Sequence, residues 1–397
     1  MNLLAPVPND APTILRKSAV YSILDEICRD LELSETQLAD AKTSYEAVAD
    51  WLSGSTNPVL RDLRLYAHGS TGLGTSVKPL GREDFDVDVI CLVNGFSAAG
   101  SPAELKRLIG ERLRENARYA SMLEEKKRCW RLNYAREFHL DVSPTIINVK
   151  CANGGELVPD KKLREWKPTN PSGYKALFET RARLQPRLHE QKKAYANDRA
   201  EVVPFPTQMT GKGILRRTVQ LLKRHRDTHF QHVTEEVAPI SIVITTLAAR
   251  AYEYCIGMFT FDTELDVLVA VVRMMPHFIE KRGVGGRIEF WVPNETTVGE
   301  NFADRWNTEP ARVKAFYEWH GKALADFEKA AAMEGIDRIS LVLEASLGSV
   351  VRRVMDRRTD AITSARGAGK LFVGTTGGLS LSGTSSSAVP RNTHFGD

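Results

Sequence analysis

Asp86-Val87-Asp88 sets two carboxylates one residue apart, a short way after a Gly-Ser pair, Gly69-Ser70. A third acid, Asp141, stands alone in the strand-like run Phe138-His139-Leu140-Asp141-Val142. Alternate side chains of a strand share a face, so Asp86 and Asp88 point the same way, about 7 Å apart at ~3.3 Å per residue. That separation suits two ligands bridging a metal pair spaced about 3.5–4 Å. Mg2+ takes oxygen ligands and binds through a few carboxylates together with substrate phosphates. Asp141 on a neighbouring strand would complete the set. The glycines of His68-Gly69-Ser70-Thr71-Gly72-Leu73-Gly74-Thr75-Ser76 let the backbone approach a phosphate, and successive amides there can form an anion nest. The chemistry suggested is nucleotidyl transfer. An Asp-x-Asp pair alone is equally a pair of solvated surface acids; the Gly-Ser turn and the lone strand Asp give it weight.

Other phosphate-binding loops fail. In a G-x-G-x-x-G fingerprint Val77 stands where the third Gly belongs, and Gly74 is followed by Thr75 where a Walker A loop needs Lys. Gly367-Ala368-Gly369-Lys370 lacks the upstream Gly and reads as linker.

The elements that must position these residues follow from periodicity. Asp10-Ala11-Pro12 opens a helix, and Leu15, Val20, Ile23, Leu24, Ile27 and Leu31 recur at helical spacing. Ser34-Glu35-Thr36-Gln37 is a capping box for a second helix, ended by Gly54. Leu63 to His68 alternates and runs into Gly69. A strand over 84–93 turns Phe85, Val87, Val89, Cys91 and Val93 one way and Asp84, Asp86 and Asp88 the other. A helix over 103–116 follows, then a strand pair over 130–135 and 138–142. Pro168, Asn170, Pro171 and Gly173 mark a connection. Beyond Gly211 the chain reads as mainly helical, over 214–226, 240–254, 262–275, 311–334 and 340–353. From Gly367 the composition turns to Gly, Ser and Thr, which reads as a flexible tail.

A chain of 397 residues has room for two sizeable lobes. The net charge of +4 is unevenly spread: Lys161 to Phe230 holds 17 Lys/Arg against 6 Asp/Glu, a local +11 that leaves −7 elsewhere. A basic middle fits a phosphate-bearing ligand, and equally a solvated helical surface. Five cysteines, Cys28, Cys91, Cys129, Cys151 and Cys255, with no C-x-x-C pair, argue against a disulfide framework or structural zinc and for a reducing compartment. Met1 to Pro6 lacks the regions of a signal peptide. The apolar runs at 240–247 and 265–272 are far short of the ~20 residues of a membrane span. The expectation is a cytoplasmic protein with no membrane partner.

Gly69-Ser70, Asp86-Val87-Asp88 and Asp141 resemble the Gly-Ser, hydrophobic-Asp-x-Asp and third-Asp pattern of the polymerase-β-like nucleotidyltransferase superfamily. Within it the chain resembles the bacterial cyclic-oligonucleotide synthases of CBASS anti-phage systems (the cGAS/DncV-like, or CD-NTase, group), relatives of cyclic GMP-AMP synthase and oligoadenylate synthase. The narrower likeness is carried by 166–174, Leu221 to Arg226 with Pro239-Ile240-Ser241, and Glu300 to Trp306, and spans roughly residues 10–360.

The resemblance implies an α+β fold: a polymerase-β-like nucleotidyltransferase lobe (mixed sheet with helices) packed on a mainly helical C-terminal lobe. The expected division is 1–205 for the catalytic lobe with N-terminal spine helices, 206–366 for the helical lobe and 367–397 for the tail. It further implies that Asp86, Asp88 and Asp141 are catalytic and bind two Mg2+ ions, for which Mn2+ can substitute. Gly69 and Ser70 would hold the donor's β- and γ-phosphates, Lys223 would contact the triphosphate and Ser241 would be its partner. The implied activity is Mg2+-dependent synthesis of a cyclic di- or trinucleotide from NTPs, ATP among them, with release of pyrophosphate, in anti-phage defence. A linear-product or tRNA nucleotidyltransferase and an inactive nucleotide- or RNA-binding scaffold are the alternatives. No His/Cys zinc insertion is present, so a nucleic-acid activator is not implied. Ile242 follows Ser241 where several relatives place a base-stacking aromatic, leaving base choice open. The C-terminus, Thr393-His394-Phe395-Gly396-Asp397, is a candidate for conjugation or for a regulatory partner encoded in a defence operon.

Overall fold

In the computed structural model the residues described are 8–81, 85–134, 138–160, 164–189, 211–231, 235–374, 379–380 and 386–390. Asp84, much of the basic middle segment and the C-terminal residues 391–397, with the conjugation site expected there, lie outside them.

The chain starts with two helices, α1 (Ala11–Leu31) and α2 (Glu35–Ser53). Asp10 accepts from the Thr13 amide at the start of α1, and Ser34 with Gln37 forms the expected capping box of α2. Then come β1 (Leu63–Ala67), the short α3 (Gly69–Leu73), β2 (Phe85–Val93), α4 (Pro102–Arg114), α5 (Ala117–Met122), β3 (Leu123–Glu125), β4 (Trp130–Tyr134), β5 (Phe138–Ile147), β6 (Glu156–Asp160) and β7 (Glu165–Thr169). The seven strands form one mixed sheet in the order β1-β2-β5-β4-β3, with β6 on β5 and β7 on β6. Within it β2 and β5 run parallel, with Asp88 in register with Asp141, and the other pairs are antiparallel.

Alternation decides the two faces of this sheet. Phe85, Val87, Val89, Cys91 and Val93 of β2, Trp130 and Leu132 of β4, and Phe138, Leu140 and Val142 of β5 are buried together against Leu105, Ile109 and Leu113 of α4. Gly110 lets α4 approach closely, since a Cβ there would lie 2.2 Å from the Trp130 ring. The opposite face carries Asp86, Asp88, His139 and Asp141, with the buried Ile90 farther along β2.

The rest is mainly helical: α6 (Pro171–Arg183), α7 (Gly213–Phe230), α8 (Ser241–Met258), α9 (Glu264–Met274), α10 (Pro310–Ala332), α11 (Ile336–Leu347) and α12 (Val350–Gly367). The pair β8 (Arg187–Leu188) and β9 (Thr260–Phe261) and the hairpin β10 (Glu280–Val284) and β11 (Arg287–Trp291) lie among them. Their core holds Phe178, Tyr252, Phe316, Trp319 and Phe327, and it also takes Val20, Ile23, Leu24 and Ile27 of α1. α1 and α6 bury their apolar faces in the helical lobe, whereas α2 packs with the sheet.

Three local expectations change. The helix read over 340–353 is broken at Gly348, which caps α11 at φ 82°, a conformation open to glycine. The connection around Pro168 contains β7; Pro168 is tolerated because β7 pairs on one side only, and Asn170 caps α6 through the Gly173 amide. In the Gly/Ser/Thr-rich tail, β12 (Phe372–Gly374) pairs with β13 (Leu379–Ser380) and β14 (Ser386–Ala388), beside a buried Leu371. Among the described residues no helix is long and apolar enough to cross a membrane.

Candidate active site

The polar face of the sheet carries Asp86 and Asp88 from β2 and Asp141 from β5, as alternation predicts. Because Asp88 and Asp141 are register partners on adjacent parallel strands, their side chains leave the sheet side by side. Burial pushes the Asp88 carboxyl up to about 7, and the negative charges of Asp141 and then Asp86 push in the same direction.

Gly69-Ser70, read from the sequence as a turn in a glycine-rich loop, opens the short helix α3. The His68 amide donates to the Asp88 carbonyl (3.0 Å), which ties the start of α3 to β2. Gly69 itself sits at φ +59°, and a Cβ there would come within 2.2 Å of Asp88 Oδ2. A side chain is excluded on both counts, so backbone and carboxylate share the space.

α7 of the helical lobe reaches across to the segment Leu73 to Lys78, just beyond α3. Arg216 Nε donates to the Leu73 carbonyl (2.9 Å), Lys223 Nζ to the Thr75 carbonyl (3.1 Å) and Oγ1 (3.2 Å), Gln220 Nε2 to the Ser76 carbonyl (3.1 Å) and Arg224 Nη2 to the Lys78 carbonyl (2.5 Å). Positions i, i+4, i+7 and i+8 of a helix share one face, so a single stripe of α7 grips this stretch of main chain. From the other side the Lys78 amide donates to the Leu31 carbonyl at the end of α1 (2.7 Å). Burial pulls the Lys223 ammonium down to about 8, with repulsion from Arg226 adding to it. Ser241 begins α8, and its hydroxyl accepts from Arg226 Nη1 (2.9 Å). Arg226 also donates to the Pro239 carbonyl (3.1 Å) and to Asp227 (2.6 and 2.8 Å).

A cavity of about 460 Å³ lies between the lobes. Ser70, Asp86, Lys223 and Ser241 line it, with Ser76, Val77, Pro79 and Leu80 along one wall and Arg226 and Phe230 on another. The geometry thus gathers four of the seven sequence candidates around one space. Asp88, Asp141 and Gly69 adjoin Asp86 and Ser70 beyond its lining.

Sequence reasoning missed Arg131. Its Nε donates to Asp141 Oδ1 (2.7 Å) and its Nη2 to Asp141 Oδ2 (2.8 Å) and Asp86 Oδ1 (3.0 Å). The alternation of Trp130, Leu132 and Tyr134 turns Arg131 to the polar face, but the register that sets it opposite Asp141 is a property of the sheet. The segments that carried the narrower likeness serve as joints. Asn170 Nδ2 donates to the Thr296 carbonyl (3.1 Å), Tyr174 bonds Thr246 (2.8 Å), and Asn301 Oδ1 accepts from the Val292 amide (2.9 Å).

Among the described residues no three His, Cys, Asp or Glu side chains are gathered tightly enough to hold a metal ion. What Asp86 and Asp141 hold is the guanidinium of Arg131. The donor chemistry nevertheless fits a hard divalent cation: three carboxylates share one face of the sheet, Asp88 and Asp141 in register.

Residues 19–181 match the family model of the Second Messenger Oligonucleotide or Dinucleotide Synthetase domain. A c-di-GMP synthase of Roseivirga ehrenbergii is 28% identical over 384 residues, covering 96% of this chain and 98% of that protein. The cyclic dinucleotide synthase CdnG of Bradyrhizobium diazoefficiens is 25% identical over 326 residues, 78% of this chain and 75% of that one. The solved structure of that organism's CD-NTase CdnG in complex with GTP superposes with a TM-score of 0.65 at 20% identity, covering 86% of this chain and 99% of the other. CdnC of E. coli MS115-1 with ATP gives 0.58 at 14%, covering 86% and 99%. These superpositions show the fold, a mixed-sheet lobe packed on a helical one. With its acidic strand face, its Gly-Ser helix and these matches, the chain is similar along most of its length to the CD-NTase nucleotidyltransferases, the cyclic-oligonucleotide synthases.

Proposed function

We propose that this enzyme condenses nucleoside triphosphates into a cyclic di- or trinucleotide, Mg2+-dependently and with release of pyrophosphate, as a signal in bacterial anti-phage defence. The observation that carries the reading is one interlobe cavity with an acidic sheet face at its rim and Ser70, Lys223 and Ser241 in its walls. The relatives named for cyclic dinucleotide and c-di-GMP synthesis make GTP the first substrate to test, with ATP beside it.

In this reading Asp86 and Asp88 hold both ions and Asp141 completes the set. When bound, the ions neutralise triphosphate charge and lower the pKa of the attacking ribose hydroxyl. The chain's own part is positioning and charge compensation. The backbone at Gly69 and the hydroxyl of Ser70 receive the β- and γ-phosphates, since the first amides of a helix have no intrahelical acceptor. The Lys223 ammonium leaves the Thr75 carbonyl for the triphosphate, and Ser241, oriented by Arg226, lines the same cavity. The apolar side chains of Val77, Leu80 and Phe230 offer the base a surface. The triphosphate pool of the cytoplasm is the expected setting.

The test is incubation with the four NTPs and Mg2+, phosphatase treatment and mass spectrometry. A phosphatase-resistant cyclic product is expected. A linear product that needs added RNA would favour the transfer-to-RNA alternative, and binding without turnover would favour a scaffold. Exposure of cells carrying the gene and its operon to phage tests the defence role.

Lys223 gives a pH prediction. Burial favours its neutral form, and a triphosphate favours the charged one. NTP binding is therefore strongest below pH 8 and weakens above it, by up to about tenfold per pH unit as the ammonium fraction falls. Isothermal titration with a non-hydrolysable NTP between pH 7 and 9.5 should show this slope. In Lys223→Met it should be absent, with weak binding throughout.

A further inference from the structure

We propose that Arg131 is the built-in cation of the acidic face: in the metal-free enzyme its guanidinium neutralises Asp86 and Asp141, and a divalent ion loads by displacing it. The inference rests on the reading of Asp86, Asp88 and Asp141 as metal ligands.

β2, β5 and β4 lie side by side, so Arg131 on β4 reaches across Asp141 on β5 to Asp86 on β2. The planar guanidinium fork suits two carboxylates at once. Its Nε and Nη2 bracket both oxygens of Asp141, and Nη2 bonds Asp86 as well. The three donor contacts therefore fall on oxygens that an ion needs. Their exposure differs. The Arg131 and Asp141 side chains are 21% and 14% exposed, whereas Asp86 is 55% exposed and its contact is the longest of the three. The Asp86 arm opens first, and the Asp141 arm is the stronger barrier. Three carboxylates converging without a cation would repel one another, and Arg131 relieves that strain before substrate arrives. The same relief opposes free metal. The site is thereby biased against loading a bare ion and toward an ion that comes with a polyphosphate, whose charge adds to that of the carboxylates.

The alternative role for Arg131 is to align Asp141 for the ion, and the two roles predict opposite signs. MnCl2 is titrated into wild type, Arg131→Met and Arg131→Lys without nucleotide, and free Mn2+ is read by electron paramagnetic resonance. Displacement predicts that Arg131→Met binds Mn2+ more tightly than wild type, on the order of tenfold, the scale of a charge-assisted hydrogen bond forfeited on loading. It also predicts a lower unfolding midpoint for Arg131→Met in EDTA, recovered by Mn2+ to a greater extent than in wild type. Arg131→Lys, which keeps the charge and loses the fork, should fall between. If Arg131→Met does not fold, Arg131→Gln and Arg131→Lys carry the same comparison. Equal or weaker Mn2+ binding on loss of the guanidinium overturns the proposal and leaves the metal reading intact. No saturable Mn2+ binding to any of these proteins, with a non-hydrolysable NTP or without, removes the metal reading and the proposal with it.

Discussion

Replacing Asp86 and Asp88 together by Asn is expected to abolish product formation while the protein stays folded. The fall should reach at least roughly 10²–10³-fold, the scale of removing one preorganised group that stabilises developing charge. Few buried bonds are lost with the two charges. Asp86 is mostly exposed and gives up one contact to Arg131, and Asp88 lies where burial and two neighbouring acids already disfavour its ionised form. Asn is nearly isosteric and ends that repulsion. The thermal midpoint in EDTA should therefore match or exceed that of wild type, while Mn2+ binding disappears. Retained synthesis in the double variant would mean that the acidic face is not the catalytic centre.

Gly69→Ala is expected to be nearly as damaging, by a different route. At φ +59° a Cβ meets a penalty of roughly 1–2 kcal/mol for the left-handed region. It would also press against the Asp88 carboxylate, 2.2 Å away. One of the two must move, and a shift of about 1 Å in a reacting constellation costs up to ~10²-fold. Turnover should fall by that order, with a loss of roughly 2–4 °C in midpoint per kcal/mol of strain. Gly154→Ala is the control: Gly154 sits at φ +69° with nothing within 4 Å of its would-be Cβ. It shares the backbone strain and should lose stability without losing activity. Equal turnover of the two variants would separate the Gly-Ser helix from the chemistry.

The acidic strand was legible because a sheet with one buried face writes its alternation into the sequence. Phe85, Val87, Val89, Cys91 and Val93 mark the inner face, so Asp86 and Asp88 could only point outward. The capping box at Ser34 and the helix after Pro239 were readable for the same local reason. Arg131 was hidden because it became a site residue only through pairing with Asp141, and pairing register is set by the whole sheet. The break at Gly348 was masked by apolar spacing that continues through it, Leu343 and Leu347 before and Val350, Val351 and Val354 after. The glycines from 69 to 74 suggested a loop because composition does not reveal that Gly69 starts a helical turn held by Asp88. The membership of α1 in the helical core was equally out of reach, since an amphipathic helix declares that it has a partner but not which one.

The stripe of α7 that holds the chain from Leu73 to Lys78 touches carbonyl oxygens at every step. Every amino acid offers that atom, so, apart from the Thr75 hydroxyl that Lys223 also meets, the joint between the lobes reads main chain and not side chains. Ser76 and the neighbouring Val77, Pro79 and Leu80 face the cavity. Under the proposed function, substrate preference and lobe alignment are written in different atoms of one short stretch. Substitution at Leu80 is expected to change which nucleotide is accepted with little effect on the frame, whereas exchanging Gln220 or Arg216 should loosen the frame for every nucleotide alike.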